Sequence, residues 1–332
     1  IDLFLLGKSF RQLRKNTATG VDKVTAQEYS ANLEENLYKL YLRLQRGQYA
    51  ALPVKRIWIE KEDGKQRPIG ITALEDKIVQ KAVTTILSEV YEPIFHDFSH
   101  GFRSKHSQHM AVAQIREKCY ELNINWILSA DITGLFDNID HSLLRDLIRI
   151  RVNDGGILRL IGKWLNAGVY EDDNIEYPDT GTPQGGVISP ILSNIFLHYV
   201  LDDWFIKAAL PRMTGKCFLI RFADDFIIGF QLESDAKRLI EVLPKRFDRY
   251  SLSLHPQKTR LIAFGKPTQK DKPQGTFDFL GFTFYWGRSL KGNWVIKKKT
   301  ARKRRNGFMR MLWSWCRENL HKSVSEQHEI LC

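Results

Sequence analysis

Phe218-Leu219-Ile220-Arg221-Phe222-Ala223-Asp224-Asp225-Phe226-Ile227-Ile228-Gly229-Phe230 reads as strand, turn, strand. Both flanks are rich in aromatic and β-branched residues, and two adjacent acids mark the turn. Two carboxylates at a buried turn repel each other, and each is costly without a counter-charge. A divalent cation supplies that charge, and hard oxygen ligands suit Mg2+. The plain alternative is an exposed acidic hairpin turn, and Asp172-Asp173, in the polar stretch from Tyr170 to Thr180, is expected to be one. Asp202-Asp203, at a helix end, is expected to lie on a solvated face. The strand flanks set Asp224-Asp225 apart from both.

A second acid fits the same site. Trp126-Ile127-Leu128-Ser129-Ala130-Asp131 predicts a short buried strand ending in a carboxylate, and the segment Ile132 to His141 follows it. Alone, Asp131 is as readily a helix cap or a turn acid. Beside a two-Asp hairpin it suggests two metal ions about 3.5–4 Å apart, the arrangement of polymerases and nucleases.

The remaining pattern is mixed. Leu33, Leu37, Leu40 and Leu44 predict a helix over residues 25–46. Arg56 to Glu60 alternates like a strand, and Asp63-Gly64 after it is a hairpin-turn signal. Residues 73–92 predict an amphipathic helix stopped near Pro93. Helices are also expected over 141–150, 156–167 and 234–249, with a long apolar one from Ser189 to Phe205. Phe277 to Trp286 is strand-like, and from Lys297 the chain is expected to be basic and helical. The expected class is α+β, with helices packed on a mostly antiparallel sheet.

Composition narrows the function. The chain has 332 residues, so one large or two to three smaller modules are expected. With 43% hydrophobic and 27% charged residues it is neither disordered nor fibrous. No stretch approaches the roughly 18 apolar residues that span a bilayer. Ile1 to Leu6 is too short for a signal peptide, and the absence of an initiator Met points to a longer reading frame. A cytoplasmic protein is expected. Fifty Lys and Arg against 38 Asp and Glu give +12, which suggests a polyanionic partner, most often nucleic acid. A merely basic soluble protein would show the same excess. Cys119, Cys217, Cys316 and Cys332 are scattered, so neither a disulfide framework nor a structural zinc site is expected.

With these segments in hand, the chain resembles a reverse transcriptase, most closely the bacterial group II intron-encoded (maturase) type. Arg221 to Phe226 resembles that family's catalytic hairpin, with Phe222 where the family usually has Tyr. Phe keeps the ring and loses only the hydroxyl. Asp131 to His141 resembles the first catalytic segment, and Thr180 to Pro190 the template and nucleotide loop. Arg67 to Ile71, His255 to Thr259 and Phe279 to Phe282 resemble a fingers segment, the segment after the hairpin and the last palm segment. Six matches in the family's order are specific where any one is weak.

The resemblance implies a right-hand polymerase. Fingers would span 1–115 and 146–180, the catalytic palm 116–145 and 181–287, and the start of a helical thumb 288–332. It implies that Asp131, Asp224 and Asp225 hold two Mg2+ ions, with Mn2+ a possible substitute, and that the Ile132 backbone carbonyl joins them. Asp131 and Asp224 would be the bridging pair. Phe136 would lie under the sugar and exclude a 2′-OH. Lys61 and Arg67 would reach the triphosphate from the hairpin around Asp63-Gly64, with Lys65 a competitor. Gln184 and Gly185 would line the nascent base pair, and Lys258 would approach the triphosphate or protonate the pyrophosphate. Arg103 would contact template phosphate. Lys298, Arg302 and Arg305, next to Phe308, Trp313 and Trp315, would track the nucleic-acid backbone. Each has a bland alternative: a core Phe, a solvated basic hairpin, a Pro-Gln-Gly turn or a basic helix face. His106 and His109 are expected to be solvated or structural, and His141 to cap or pack at a helix start.

The implied partners are an RNA template, a DNA or RNA primer, dNTPs and a group II intron RNA whose splicing the protein assists. No membrane partner is implied, and oligomeric state is open. The family's thumb continues beyond Cys332, and no DNA-binding or endonuclease module is visible. Three other readings stand beside this one. An RNA-dependent RNA polymerase usually carries Gly-Asp-Asp and lacks the Phe136 gate. A non-catalytic RNA-binding maturase need not keep three acids. A CRISPR-associated or defence reverse transcriptase would share the same core.

Overall fold

The computed structural model describes residues 1–60, 66–177, 179–181, 185–268 and 273–331. Helices α1 (Leu3–Gln12), α2 (Ala26–Ala31) and α3 (Leu33–Gln45) open the chain, followed by β1 (Val54–Glu60) and β2 (Gln66–Ile71). Then come α4 (Leu74–Tyr91), α5 (Gln108–Glu121), β3 (Trp126–Asp131), α6 (Leu135–Asn138), α7 (His141–Arg149) and α8 (Gly155–Leu165). The short strands β4 (Val169–Glu171) and β5 (Asn174–Glu176) precede α9 (Ser189–Leu197). The hairpin β6 (Cys217–Phe222) and β7 (Asp225–Phe230) leads to α10 (Glu233–Asp248) and β8 (Arg260–Ala263). Last are β9 (Phe277–Phe279), β10 (Phe282–Arg288), β11 (Trp294–Thr300), α11 (Arg302–Glu318) and α12 (Val324–Leu331).

The strands form three sheets, ordered β2-β1-β4-β5, β6-β7-β3-β8 and β11-β10-β9. The β1–β4 pair is parallel and the other pairs are antiparallel. The fold is therefore the expected α+β class, with antiparallel sheets backed by helices.

The central sheet β6-β7-β3-β8 is buried on both faces, which explains its near-continuous apolar sequence. Leu128, Leu219, Phe226 and Ile228 face a core shared with α4, α9 and α10. Ile127, Ile220 and Ile227, offset by one residue, face a second core with α5, Phe264, Phe284 and Trp286. The alternation is the period-two pattern of a strand, hidden because both faces are dry.

Some expected elements differ in detail. The 25–46 helix breaks at Asn32, whose backbone leaves helical geometry (φ −127°, ψ 47°). The helix expected to run to Phe205 is α-helical only to Leu197, and π-helical turns follow at His198–Asp202 and Phe205–Ala209. Within the first of these turns the Arg246 guanidinium donates to the carbonyls of Tyr199 (3.1 Å) and Val200 (3.0 Å). Lys297, Lys298 and Lys299 lie on β11, paired with β10, so the helix starts later, at Arg302. Alternating Trp294-Val295-Ile296 packs the hairpin and overrides the basic run. Asp172-Asp173 does form the exposed β4–β5 turn. His141 opens α7, but Asp140 is its cap, and His141 Nε2 instead meets the Gly181 carbonyl at 2.5 Å.

Candidate active site

Register in the central sheet assembles the acids. Asp131, the last residue of β3, pairs directly with Asp225, the first of β7. Residues opposite each other in a ladder share a face, so these two carboxylates are neighbours although 94 positions separate them in the chain. Asp224 occupies the turn between β6 and β7. The turn residue before it, Ala223, takes φ +56°, a left-handed conformation costing an L-residue about 1–2 kcal/mol.

The turn is held from behind. Arg221 is fully buried. It donates to Asp202 through Nε (2.8 Å) and NH2 (2.6 Å), to Asn194 Oδ1 (3.0 Å), to Ser99 Oγ (2.7 Å) and to the Ala223 carbonyl (3.1 Å). All five guanidinium donors are thus engaged. Gly101 presses on the same turn: a Cβ there would sit 2.3 Å from the Ala223 nitrogen, so only glycine fits. Asp202, expected on a solvated face, is instead the fully buried partner of Arg221. The π-helical turn carries it inward, which α-helical periodicity in the sequence did not signal.

At the front of the hairpin, burial outweighs the cations described near it, Lys258 and Arg67. Burial, then a hydrogen bond with Asp131 and the charges of Asp224 and Asp131, push Asp225 up to about 7. Burial also raises Asp224, against its own backbone N–H. The Lys258 ammonium bonds Asp131 Oδ2 at 2.7 Å. Burial pulls Lys258 down, but that bond and the three carboxylates outweigh it and raise its pKa. One exposed ammonium therefore stands where a cation fits, beside three all-oxygen side chains. The donor set suits a hard divalent ion.

A cavity of about 700 Å3 opens on these groups. Asp131, Ile132, Asp224, Asp225, Phe136, Arg67 and Lys258, all candidates from the sequence, line it together. Phe136 also borders a second cavity lined by β1, β2 and α8 residues. Arg304, His255, Phe102 and Gln108 line the main cavity too, though the sequence reading did not select them. Arg304 lay unremarked in the basic run, and His255 was seen only as the start of a matched segment.

Gly185 takes φ +108°, and a Cβ there would meet the Gly70 carbonyl at 2.6 Å, so the loop before α9 lies against β2. Arg103 is not available to a template phosphate. Its side chain is 4% exposed and is bonded to Glu92 and to the carbonyls of His96 and Ser99. Lys298 lies over the Phe282 ring, and Arg302 and Arg305 are exposed on α11. His106 meets His100 at 3.0 Å, a structural contact as expected. Lys61, the Asp63-Gly64 turn, Lys65, Thr182-Pro183 and Gln184 lie outside the described residues.

The strand-end acid paired with a two-acid hairpin is the layout of a template-directed polymerase palm. The chain belongs to the reverse transcriptase (RNA-dependent DNA polymerase) family, whose model matches residues 59–284, more than half of the chain. It is 42% identical over 189 residues to "Group II intron-encoded protein LtrA" of Lactococcus lactis subsp. cremoris, covering 57% of this chain and 31% of that protein. It is 38% identical over 237 residues to "Protein YkfC" of Escherichia coli (strain K12), covering 63% of this chain and 62% of that protein. A third relative, "Nuclear intron maturase 4, mitochondrial" of Arabidopsis thaliana, is 29% identical over 42% of the chain and 17% of that protein. The chain thus spans less than two thirds of each. Among the described residues, no helix is long and apolar enough to cross a membrane.

Proposed function

We propose that the protein is an RNA-directed DNA polymerase that extends a primer 3′-OH with dNTPs on an RNA template. The observation that carries this reading is the carboxylate corner of Asp131, Asp224 and Asp225, compensated in the structure by the Lys258 ammonium. Asp131 and Asp224, with Asp225 secondary and the Ile132 carbonyl a further donor, would hold two Mg2+ ions; Mn2+ has compatible oxygen chemistry. When bound, the ions would lower the pKa of the 3′-OH and stabilise the leaving pyrophosphate.

The chain's own groups do the rest. Phe136, half-buried at the cavity wall, would press on the sugar and leave no room for a 2′-OH. Arg67 and Lys61 would hold the triphosphate oxygens. Lys258, which bonds Asp131 and lines the same cavity, would hold a phosphate oxygen or supply a proton to pyrophosphate. Gln184 and Gly185 would back the nascent base pair. Arg302, Arg305 and Lys298 would track the template–primer backbone.

In this reading residues 1–115 and 146–180 are fingers, 116–145 and 181–287 palm, and 288–332 the start of a thumb. Relatives named as a group II intron-encoded protein and as an intron maturase support a second role, binding a group II intron RNA and assisting its splicing. The bacterial relatives support a cytoplasmic site of action.

Primer extension on an RNA template tests the proposal, with Mg2+ and either dNTPs or ribonucleotides. Extension with dNTPs alone, abolished in Asp224→Asn, is expected. A protein that binds the template–primer tightly but extends it in neither case would overturn it in favour of a binding module.

A further inference from the structure

Behind the catalytic hairpin the fold gathers a second set of metal-ligating side chains. His96, in the turn after α4, meets Asp203 Oδ1 through Nε2 at 3.1 Å. His198 Nε2 lies 3.9 Å from the same oxygen. The two imidazole rings are 5.5 Å apart, and one ligand atom from each of the three residues falls within 4.8 Å of the others.

Two features make this more than a hydrogen-bonded pair. First, His198 is 3% exposed, and its Nδ1 has no hydrogen-bond partner. Its Nε2 contact, at 3.9 Å, is too long for a hydrogen bond. With Nδ1 protonated, the Nε2 lone pair faces a carboxylate oxygen; with Nε2 protonated, the Nδ1 lone pair is buried without a donor. Neither tautomer satisfies the ring. A cation between Nε2 and Oδ1 would remove the lone-pair conflict of the Nδ1-protonated form, because two ligands about 2.0–2.2 Å from one ion lie roughly 3–4 Å apart.

Second, the backbone is built for the juxtaposition. His198 and Asp203 are five residues apart, a spacing that diverges on an α-helix. The π-helical turn bonds the Asp203 N–H to the His198 carbonyl and so stacks the two residues one turn apart. Single π turns recur at functional sites. His96 is held in place by stacking on Phe98, with ring centroids 4.9 Å apart.

We infer that His96, His198 and Asp203 form a binding site for one divalent transition metal of the zinc class, with a water completing the coordination. Two imidazoles and one carboxylate oxygen select a borderline ion over Mg2+. His96 and Asp203 are partly exposed, which gives the ion and its water access. Lys207 bonds the other oxygen, Oδ2, at 2.6 Å and leaves Oδ1 to the metal. The site is distinct from the catalytic carboxylates. It would tie the 92–100 segment to the helix carrying Asp202. That segment in turn clamps β6: His100 N–H donates to the Arg221 carbonyl and Arg221 N–H to the Phe98 carbonyl, each at 2.9 Å. Bound metal would therefore act as a rivet behind the hairpin.

The test is titration of chelator-stripped protein with Co2+, followed by displacement with Zn2+. One tight equivalent should give the visible absorption of four-coordinate Co2+. That signal should persist in Asp224→Asn, which removes a catalytic carboxylate. It should weaken in His96→Ala and in His96→Gln, which keeps the side chain's bulk. Loss of a supporting contact alone costs 10–100-fold in affinity, so loss of a ligand should cost at least about 100-fold. Zn2+ should raise the melting temperature of the parent protein and leave folded His96→Gln unchanged. Absence of the Co2+ signal, its survival in both His96 variants, or its loss in Asp224→Asn would overturn the assignment.

Discussion

Asp202 and Asp225 flank the same β-hairpin, and the fold treats their charges in opposite ways. Asp202, behind it, is fully buried and meets the Arg221 guanidinium in a two-point ion pair. Asp225, in front, shares a cavity with Asp131 and Asp224, and one exposed lysine is the nearest cation described on them. Behind the turn, charge is matched and the donors are used up. In front, three acids are held together with less compensation than they need, and Asp225 keeps a proton to near neutrality. The first arrangement resists change. The second stores repulsion that a cation relieves, and it can hold that repulsion only because the first fixes the turn.

This contrast can be broken most severely from the front. If Asp224 holds metal as proposed, Asp224→Asn removes a ligand oxygen and is expected to lower primer extension by about 1,000-fold or more, several kcal/mol at the transition state. RNA binding should stay near the parent level. Activity within tenfold of the parent, in single-turnover assays, would sink the assignment of Asp224.

Arg221→Met attacks the back. It leaves Asp202 buried without a partner and is expected to cost about 3–5 kcal/mol in urea denaturation. Adding Asp202→Leu should restore much of the stability but not the activity, because the Ala223 carbonyl still lacks its donor. Equal recovery of both would mean that Arg221 does not position the turn.

A smaller effect is expected at the cavity wall. Phe136→Ala should raise ribonucleotide incorporation relative to deoxynucleotide about 10–100-fold, or about 1.4–2.7 kcal/mol. Competition between the two nucleotides in one reaction measures the ratio, and an unchanged ratio would remove Phe136 from the sugar contact.

The smallest effect is the most direct reading of stored repulsion. Between about pH 4 and 7 the folded protein binds more protons at Asp225 than the unfolded chain, so metal-free stability falls as pH rises through that window. Asp225→Asn removes this penalty. In chelator at pH 8 it should be more stable than the parent by about 1 kcal/mol, after allowing for screening at a half-exposed site. The gain should fade as the pH drops toward 4. A destabilised variant at pH 8 would show that Asp225 is compensated after all.

Much of the front was legible in the chain. Two acids between apolar strands, and a third at a strand end, announce a carboxylate site because few other arrangements place acids against such flanks. Phe136, Arg67 and Lys258 followed from their place in matched segments. The back was not legible. Arg221 looked like one more flank residue, and Asp202 like a surface acid, because the burial of each depends on the other. Arg103 misled in the same way: its cation was visible, but its partners in a neighbouring helix and loop were not.

By itself the sequence determined the α+β class, the strand–turn–strand hairpin, the family and the three acids, because hydrophobic period and local turn chemistry are written in contiguous residues. Only the tertiary structure decided which charges are spent holding the hairpin and which are left for chemistry. That choice also brought His96 to His198 and Asp203. It depends on β3–β7 register and on a π turn whose carbonyls accept from Arg246, contacts between residues far apart in the chain whose cost or benefit appears only once they share a dry interior.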